Sequence, residues 1–179
     1  MITNDIIGRY VELRSAKVED AEFALNIRHT PKAMKFMPPL DITLEQQKSW
    51  IEKQRIIEGD YFFIVFNKNN ERIGVNSVYD IHDEQGEIGR WVMQGGAFES
   101  IESKLLITQF SFNILKLKRL VEYSYPENIS TLKASKIFGC KINKIIHDEK
   151  RNLDFQNLIL ELEDFKLTEP QIMEILYNR

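Results

Sequence analysis

The stretch VMQGGAFESIESKLL, residues 92–106, decides how this sequence is interpreted. Its pattern is typical of the end of a strand, a short loop with two glycines, and the start of a helix. That order often builds a phosphate-binding turn, because the free N–H groups of a helix N-terminus attract anions. The loop has no basic residue, however, and Glu99 and Glu102 stand where an anion would sit. The stretch is therefore either a cofactor loop or a tight turn into a buried helix.

Alternating patterns flank this stretch on both sides. Before it, three segments rich in β-branched and aromatic residues, 61–66, 72–81 and 87–93, are separated by short polar turns, which predicts antiparallel hairpins. After it, the pattern predicts a well-buried helix over 99–116 and a strand over 119–125. The sequence thus predicts a strand–helix–strand crossover in the second half of the chain.

The remaining segments complete one domain over residues 1–179. Thr43 followed by Gln46 predicts a capping box at a helix start. The other predicted elements are a strand at 10–15, a helix interrupted at Pro31, a short helix over 128–139 closed by Gly139, a final hairpin of strands 140–146 and 155–163, and a small C-terminal helix at 168–179. This order predicts an α+β fold with a mixed, mostly antiparallel sheet flanked by helices.

Composition narrows the function classes. The 179 residues are 43% hydrophobic and 28% charged, with a net charge of −3. This acidic balance argues against a nucleic-acid partner, which usually meets a basic surface. Since no run of 18 apolar residues occurs, we expect no membrane association and a cytoplasmic location.

Cysteine and histidine usage argues against a metal site. Cys140 is the single cysteine, so no internal disulfide can form, and we expect a small buried hydrophobic residue without a nucleophilic role. His29, His82 and His147 are far apart in sequence and show no zinc-ligand spacing.

The order and spacing of these motifs resemble the GCN5-related N-acetyltransferase (GNAT) family over nearly the whole chain. RIGVNSVYDI and EIGRWVM are similar to the third and fourth strands of that family. RLVEYSYPENISTLKASKIFGC is similar to its fifth strand and an Asn-led helix. The loop and RHTPKAMKFMPPLDITLEQQKSWIE also resemble the branches that acetylate nucleotide-linked amino sugars and ribosomal proteins.

The resemblance implies acetyl-CoA as co-substrate and a fold whose fourth and fifth strands, here 87–93 and 119–125, splay apart. A pantetheine arm would pair with the exposed backbone in that gap like an added strand. Its pyrophosphate would meet the start of the following helix. The residues that this implies for coenzyme binding are Trp91, Val92, Met93, Gly95, Gly96, Ala97, Phe98, Glu99, Ser100 and Asn128.

Amine acetylation needs a base for the amine and a proton for the departing thiolate. Glu87, at the start of its strand, is the first candidate for the base, and His82 on the adjacent turn is the second. The family often places a Tyr seven residues after the helix-leading Asn, where this chain has Ser135. The proton could therefore come from Ser135, Thr131, Tyr125 or water.

The acceptor is expected to be a small-molecule amine, with a nucleotide-linked amino sugar first. Arg28 could pair with a substrate phosphate, Trp50 or Tyr79 could stack on a base or sugar, and Arg90 is a further candidate. The alternatives are a ribosomal-protein-type Nα-acetyltransferase, or a non-catalytic binding module of the same fold. A homodimer is possible.

Overall fold

The computed structural model describes residues 1, 3–37, 40–149 and 152–178. The strands are β1 Ile6–Ile7, β2 Val11–Ser15, β3 Tyr61–Asn67, β4 Arg72–His82, β5 Gln85–Met93, β6 Arg119–Ser124, β7 Lys141–Asp148 and β8 Leu153–Glu161. The helices are α1 Ala21–Arg28, α2 Pro31–Met34, α3 Leu44–Gln54, α4 Ala97–Gln109, α5 Ile129–Ile137 and α6 Leu162–Tyr177. A 3₁₀ turn, Val18–Asp20, precedes α1, and a π-helical turn, Phe110–Ile114, continues α4.

The eight strands form one sheet in the order β1-β2-β3-β4-β5-β6-β8-β7. Neighbouring strands are antiparallel except for β5 and β6, which are parallel. A parallel pair needs a crossover, and α4 supplies it. The predicted α+β class, its mostly antiparallel sheet and its strand–helix–strand crossover are therefore confirmed.

Helices cover both faces of the sheet. On β3, the side chains of Phe63 and Val65 join a core with α4 and α6, whereas Phe62 and Ile64 join a second core with α1 and α3. A strand buried on both faces needs a continuous apolar run, and β3 has one. The sheet is thus the middle layer of a three-layer domain.

Helix α4 is buried as predicted, but it contains polar residues with specific partners. The carboxylate of Glu102, which is fully buried, accepts the backbone N–H groups of Arg9, Tyr10 and Val11 and the hydroxyl of Tyr177. It ties α4 to the start of β2 and the end of α6. The interpretation of Glu102 as an acid at the anion-binding turn is wrong.

The C-terminal helix is longer than the predicted 168–179 segment, because it spans Leu162–Tyr177 and contains Pro170. The predicted last strand correspondingly ends earlier, at Glu161. Phe165, Ile172 and Leu176 lie on one helix face and are almost fully buried. Burial of this stripe outweighs the backbone hydrogen bond that a proline removes from a helix.

The caps are local features that the sequence predicted correctly. Thr43 and Gln46 form the capping box of α3. Gly139, after α5, has a positive φ of 92°. Among the described helices, none combines the length and apolar character that crossing a bilayer requires.

Candidate active site

A gap opens between β5 and β6, the parallel pair. These strands pair only through Gln85↔Arg119, Gly86↔Leu120 and Glu87↔Val121, after which β5 continues to Met93 without β6. Because the two strands continue without pairing with each other, the predicted splay is confirmed. An extended ligand could hydrogen-bond to the strand edges inside this gap.

The backbone near the end of β5 faces that gap. Gln94 donates its N–H to the carbonyl of Ile73 at 2.8 Å, on the β4 side. Since backbone groups alternate along a strand, the N–H and C=O of Met93 turn away from β4 towards the gap. Val92 and Met93 are buried, and Trp91 is partly buried. The coenzyme-binding roles of Trp91, Val92 and Met93 stay predictions.

A β-bulge on β5 fixes the side chain of Arg90. Between the pairs Val75↔Val92 and Ser77↔Gly89, one residue of β4 lies opposite two residues of β5, Arg90 and Trp91. Arg90 has a positive φ of 50° there. Bulges re-aim side chains and are common beside active sites.

The re-aimed guanidinium of Arg90 is held from three sides. It bonds to both carboxylate oxygens of Asp60, at 2.8 and 3.2 Å. It also lies over the ring of Tyr79, 3.9 Å from the centroid, and 5.0 Å from that of Trp50. Arg90 is therefore a fixed part of the wall of a site.

That wall belongs to a cavity of about 400 Å³ between the sheet and helices α1 and α3. Its lining residues are Ala24, Arg28, Leu40, Ile42, Gln46, Gln47, Trp50, Phe62, Val75 and Arg90. Three of the predicted acceptor-site residues, Arg28, Trp50 and Arg90, line this cavity. The fourth, Tyr79, does not line it but contacts the guanidinium of Arg90. No acidic residue occurs among the described residues that line the cavity.

Glu87 lies where the gap between β5 and β6 begins. It is the cross-strand partner of Tyr79, whose hydroxyl donates a hydrogen bond to its Oε1. Burial raises the pKa of Glu87, while the hydrogen bond from Tyr79 and the charge of Arg90 oppose that rise. Burial and the Glu87 charge also raise the pKa of Tyr79, which keeps the phenol protonated as a donor. A carboxyl group with a raised pKa suits a general base.

The other two catalytic candidates lie in different surroundings. His82 is exposed at the β4–β5 turn, where its Nδ1 is 2.9 Å from the carbonyl oxygen of Asp80, and it does not line the cavity. Ser135 is fully buried on α5 and bonds to Lys104 at 2.7 Å and Glu122 at 2.6 Å. The structure brings neither residue to Glu87, and their catalytic roles stay predictions.

The turn before α4 is already occupied by a carboxylate. Gly96 is the N-cap, and its N–H donates to Oε2 of Glu99 at 2.7 Å. A Cβ atom on Gly95 would lie 2.6 Å from the same oxygen, so a side chain there would displace the carboxylate. The ring of Phe98 stacks on Tyr10, which leaves its backbone as the part near the turn. An anion at this turn must compete with Glu99.

Roles at the turn and at α5 remain to be tested. Gly95, Gly96, Ala97, Phe98, Glu99 and Ser100 form or adjoin the turn as predicted, but their contact with a coenzyme stays a prediction. Asn128 caps α5 by accepting the N–H of Thr131 at 3.3 Å and the hydroxyl of Ser130 at 3.1 Å. The cap is confirmed, and the contact of Asn128 with pantetheine stays a prediction.

Lys104 and Glu122 form a buried ion pair that the sequence interpretation missed. The signal is a lysine within an otherwise apolar helical stretch, KLLI, where an unpaired charge would be costly. Cys140 joins them, and burial raises the pKa of its thiol, which fits the predicted lack of a nucleophilic role. Among the described residues, no group of three or more His, Cys, Asp or Glu side chains could hold a metal ion.

Comparison with known proteins places the fold. The family model described as "Acetyltransferase (GNAT) domain" matches residues 11–141. No curated protein matches the chain at a significant level.

Solved structures resemble the chain over almost its full length. A GCN5-related N-acetyltransferase from Brucella melitensis is 18% identical, with a TM-score of 0.79, and the match covers 97% of this chain and 85% of that one. Apo FdhC, a nucleotide-linked sugar GNAT, is 20% identical with a TM-score of 0.82, covering 98% and 99%. Spermidine N-acetyltransferase from Vibrio cholerae, in complex with CoA and spermine, is 17% identical with a TM-score of 0.78, covering 87% and 98%.

Proposed function

Because this chain belongs to the GNAT acetyltransferase family, we propose that it transfers the acetyl group of acetyl-CoA directly to the primary amine of a small anionic acceptor. A nucleotide-linked amino sugar is the leading candidate. Acetyl transfer to an amine is general in the family. The observation that carries the choice of acceptor is the cavity, which has two arginines and no acid among its described lining residues. Tyr79 links its wall to Glu87, because it contacts Arg90 and bonds to the Glu87 carboxylate.

The charge of the cavity separates two kinds of acceptor. Arg28 and Arg90 contribute positive charge, and Gln46 and Gln47 contribute neutral donors and acceptors. Asp60 compensates the charge of Arg90, so recognition of an anion would depend on the guanidinium N–H donors of the wall more than on net charge. A phosphate or carboxylate group can accept hydrogen bonds from guanidinium groups, whereas the described lining residues offer no carboxylate to the ammonium groups of a polycation such as spermidine. Trp50 adds an aromatic surface for a sugar or base.

The gap and the turn fit acetyl-CoA. Unpaired edges of β5 and β6 can pair with an extended amide-bearing arm, and the first turn of α4 presents N–H groups to phosphate. The co-substrate supplies an activated acetyl thioester. The backbone N–H of Met93 faces the gap and could polarise the thioester carbonyl.

Glu87 would accept the proton of the amine, directly or through a water molecule. It lies at the junction of the gap with the hairpin that carries Arg90, which supports a position between the coenzyme and the acceptor. Tyr79 holds the carboxylate in place through its hydroxyl. Burial raises the pKa of the Glu87 carboxyl group, which brings this pKa closer to the pH at which a general base works best.

An amine screen tests this proposal. The purified protein with acetyl-CoA would be given a nucleotide-linked amino sugar, spermidine and a peptide with a free N-terminus, and thiol release would be measured. We expect turnover with the amino sugar, and R28M should raise its KM at least tenfold with little change in kcat. K32M, an equal charge change at an exposed residue of α2, is the control.

Two results would contradict the assignment of the acceptor. Preferred turnover of spermidine would mean that the cavity charge does not select the substrate. Preferred turnover of the peptide would favour the Nα-acetyltransferase alternative. An unchanged KM in R28M would remove Arg28 from the acceptor site.

A further inference from the structure

A buried polar cluster joins helices α4 and α5 to strand β6. Lys104 of α4 is 1% exposed, and its Nζ is 2.8 Å from Oε2 of Glu122 and 2.7 Å from Oγ of Ser135. The Ser135 hydroxyl donates to the same Glu122 oxygen at 2.6 Å. Cys140 lies 3.7 Å from the other oxygen. A buried ion pair is weak evidence for stability, because apolar replacements often serve as well. The cluster therefore calls for a functional explanation.

The cluster bridges the two strands after they separate. Glu122 follows Val121, the last residue of β6 that pairs with β5. Trp91 lies on β5 beyond the paired segment, and its ring centroid is 5.3 Å from the Lys104 Nζ. The ammonium group thus lies between two residues whose strands line opposite sides of the gap.

The hydrogen bonds leave one donor of the ammonium available. Lys has three N–H donors, and Glu122 and Ser135 take two of them. Two ring faces also lie near Nζ, those of Trp91 and Phe138, at 5.3 and 5.4 Å from the ring centroids. Ring faces attract a cation without using an N–H as an oxygen or sulfur acceptor would.

We propose that Lys104 stabilises the negative charge that develops on the sulfur of coenzyme A during acetyl transfer. The inference rests on the proposed function. The amine nitrogen bonds to the acetyl carbon, the C–S bond breaks with its electron pair on sulfur, and the amine proton passes to Glu87. Lys104 keeps its proton and donates its third N–H to the thiolate. Ser135 and Glu122 are positioning residues, because they orient the ammonium group without touching sulfur.

This assignment changes the role of Ser135. The hydroxyl already donates to Glu122 and accepts from Lys104, so it has no second proton for a thiolate. Glu122 bonds to the ammonium directly, and Cys140 lies close enough that the charge of Lys104 opposes the rise in the pKa of its thiol. The sulfur of coenzyme A would contact the Lys104 ammonium, so the bound CoA thiol would ionise more readily than free CoA.

Ionisation of the bound thiol gives a readout that needs no turnover. The thiolate of CoA bound to the wild-type protein would be titrated by ultraviolet difference absorbance between pH 6 and 10, with the desulfo-CoA complex as blank. An opposite charge within hydrogen-bond distance should lower the thiol pKa by about 1 unit or more relative to free CoA. K104M/E122Q, which removes both charges together, should abolish that shift while retaining CoA binding. K136M/E127Q makes the same changes at exposed residues and should leave the shift intact.

The outcomes separate this inference from the proposed function. A shift that the cluster variant abolishes and the control retains supports Lys104. An unshifted thiol in bound wild type, or an equal shift in both variants, overturns the role of Lys104 but leaves the acetyltransferase proposal standing. Failure of wild type to bind CoA overturns both. If K104M/E122Q does not fold, E122Q keeps the Lys104 ammonium and an oxygen acceptor for it, so it must retain the shift, and loss of the shift there would contradict the inference.

Discussion

Removing the charge of Glu99 should tighten coenzyme binding. Its Oε2 lies 2.7 Å from the Gly96 nitrogen, so a phosphate that uses the same N–H must meet this carboxylate at about 4 Å. Two unit charges at that distance repel by about 1 kcal/mol in a water-like dielectric, and Gly96 is exposed. We therefore expect E99Q to lower the Kd of CoA by about five- to tenfold.

The choice of substitution separates charge from capping. Gln can still accept the Gly96 N–H, so E99Q should retain the cap and change thermal stability little. E99A removes the cap as well and should cost about 0.5 to 1 kcal/mol of unfolding free energy. E22Q, an equal charge change in the first turn of α1, is the matched control.

Titration calorimetry would measure the Kd of CoA for wild type, E99Q, E99A and E22Q. The increase in CoA affinity of E99Q over wild type should be smaller at high salt, because salt screens the charges at this exposed turn. A pantetheine fragment without pyrophosphate should bind wild type and E99Q equally. If E99Q leaves the affinity for CoA within twofold of wild type, or weakens it, the phosphate does not bind at this turn.

Three further expectations follow from single contacts. E87Q should lower kcat by at least a hundredfold with little change in acetyl-CoA affinity. The wild-type rate should rise as the pH rises through the raised pKa of Glu87, because the ionised carboxylate is the base. A pH-independent rate would contradict this role. E102A should destabilise the fold by about 3 kcal/mol or more, because it leaves three N–H groups, of which that of Val11 is buried, without their acceptor. Unchanged urea denaturation would show that other contacts hold the N-terminal strand. G139A should cost about 1 to 2 kcal/mol, since its φ is 92° and the new Cβ would lie 3.2 Å from the Asp164 carbonyl oxygen; an unchanged melting temperature would contradict this.

Features that depend on neighbours in sequence could be predicted. Thr43 and Gln46 cap each other three residues apart, Asn128 caps the helix that it begins, and Gly139 adopts the left-handed conformation at a helix end. The hairpins and the crossover followed from alternation and turn lengths. In each case the residues that fix the geometry lie within one turn or one hairpin.

Features that depend on distant contacts could not be predicted. Pro170 was a sound place to begin a helix, but the packing of Phe165 extends α6 to the N-terminal side of it. The partners of Lys104 come from a strand and a helix 18 and 31 residues away, so the sequence shows the lysine without the carboxylate that permits its burial. Arg90 was predicted as an acceptor-site candidate, but no sequence signal showed the bulge that turns it into the cavity wall.

Glu99 and Glu102 show why the opening stretch was ambiguous. Three residues apart at a helix start, they are equivalent by sequence, and both supply an anion to backbone N–H groups. Glu102 is fully buried and accepts four hydrogen bonds, so its release would leave three N–H groups and a phenol unpaired. Glu99 is partly exposed and accepts one. An incoming phosphate can therefore displace Glu99 at the cost of one exposed hydrogen bond and cannot displace Glu102. The turn can thus bind an anion despite its acids, and only one of the two competes with it.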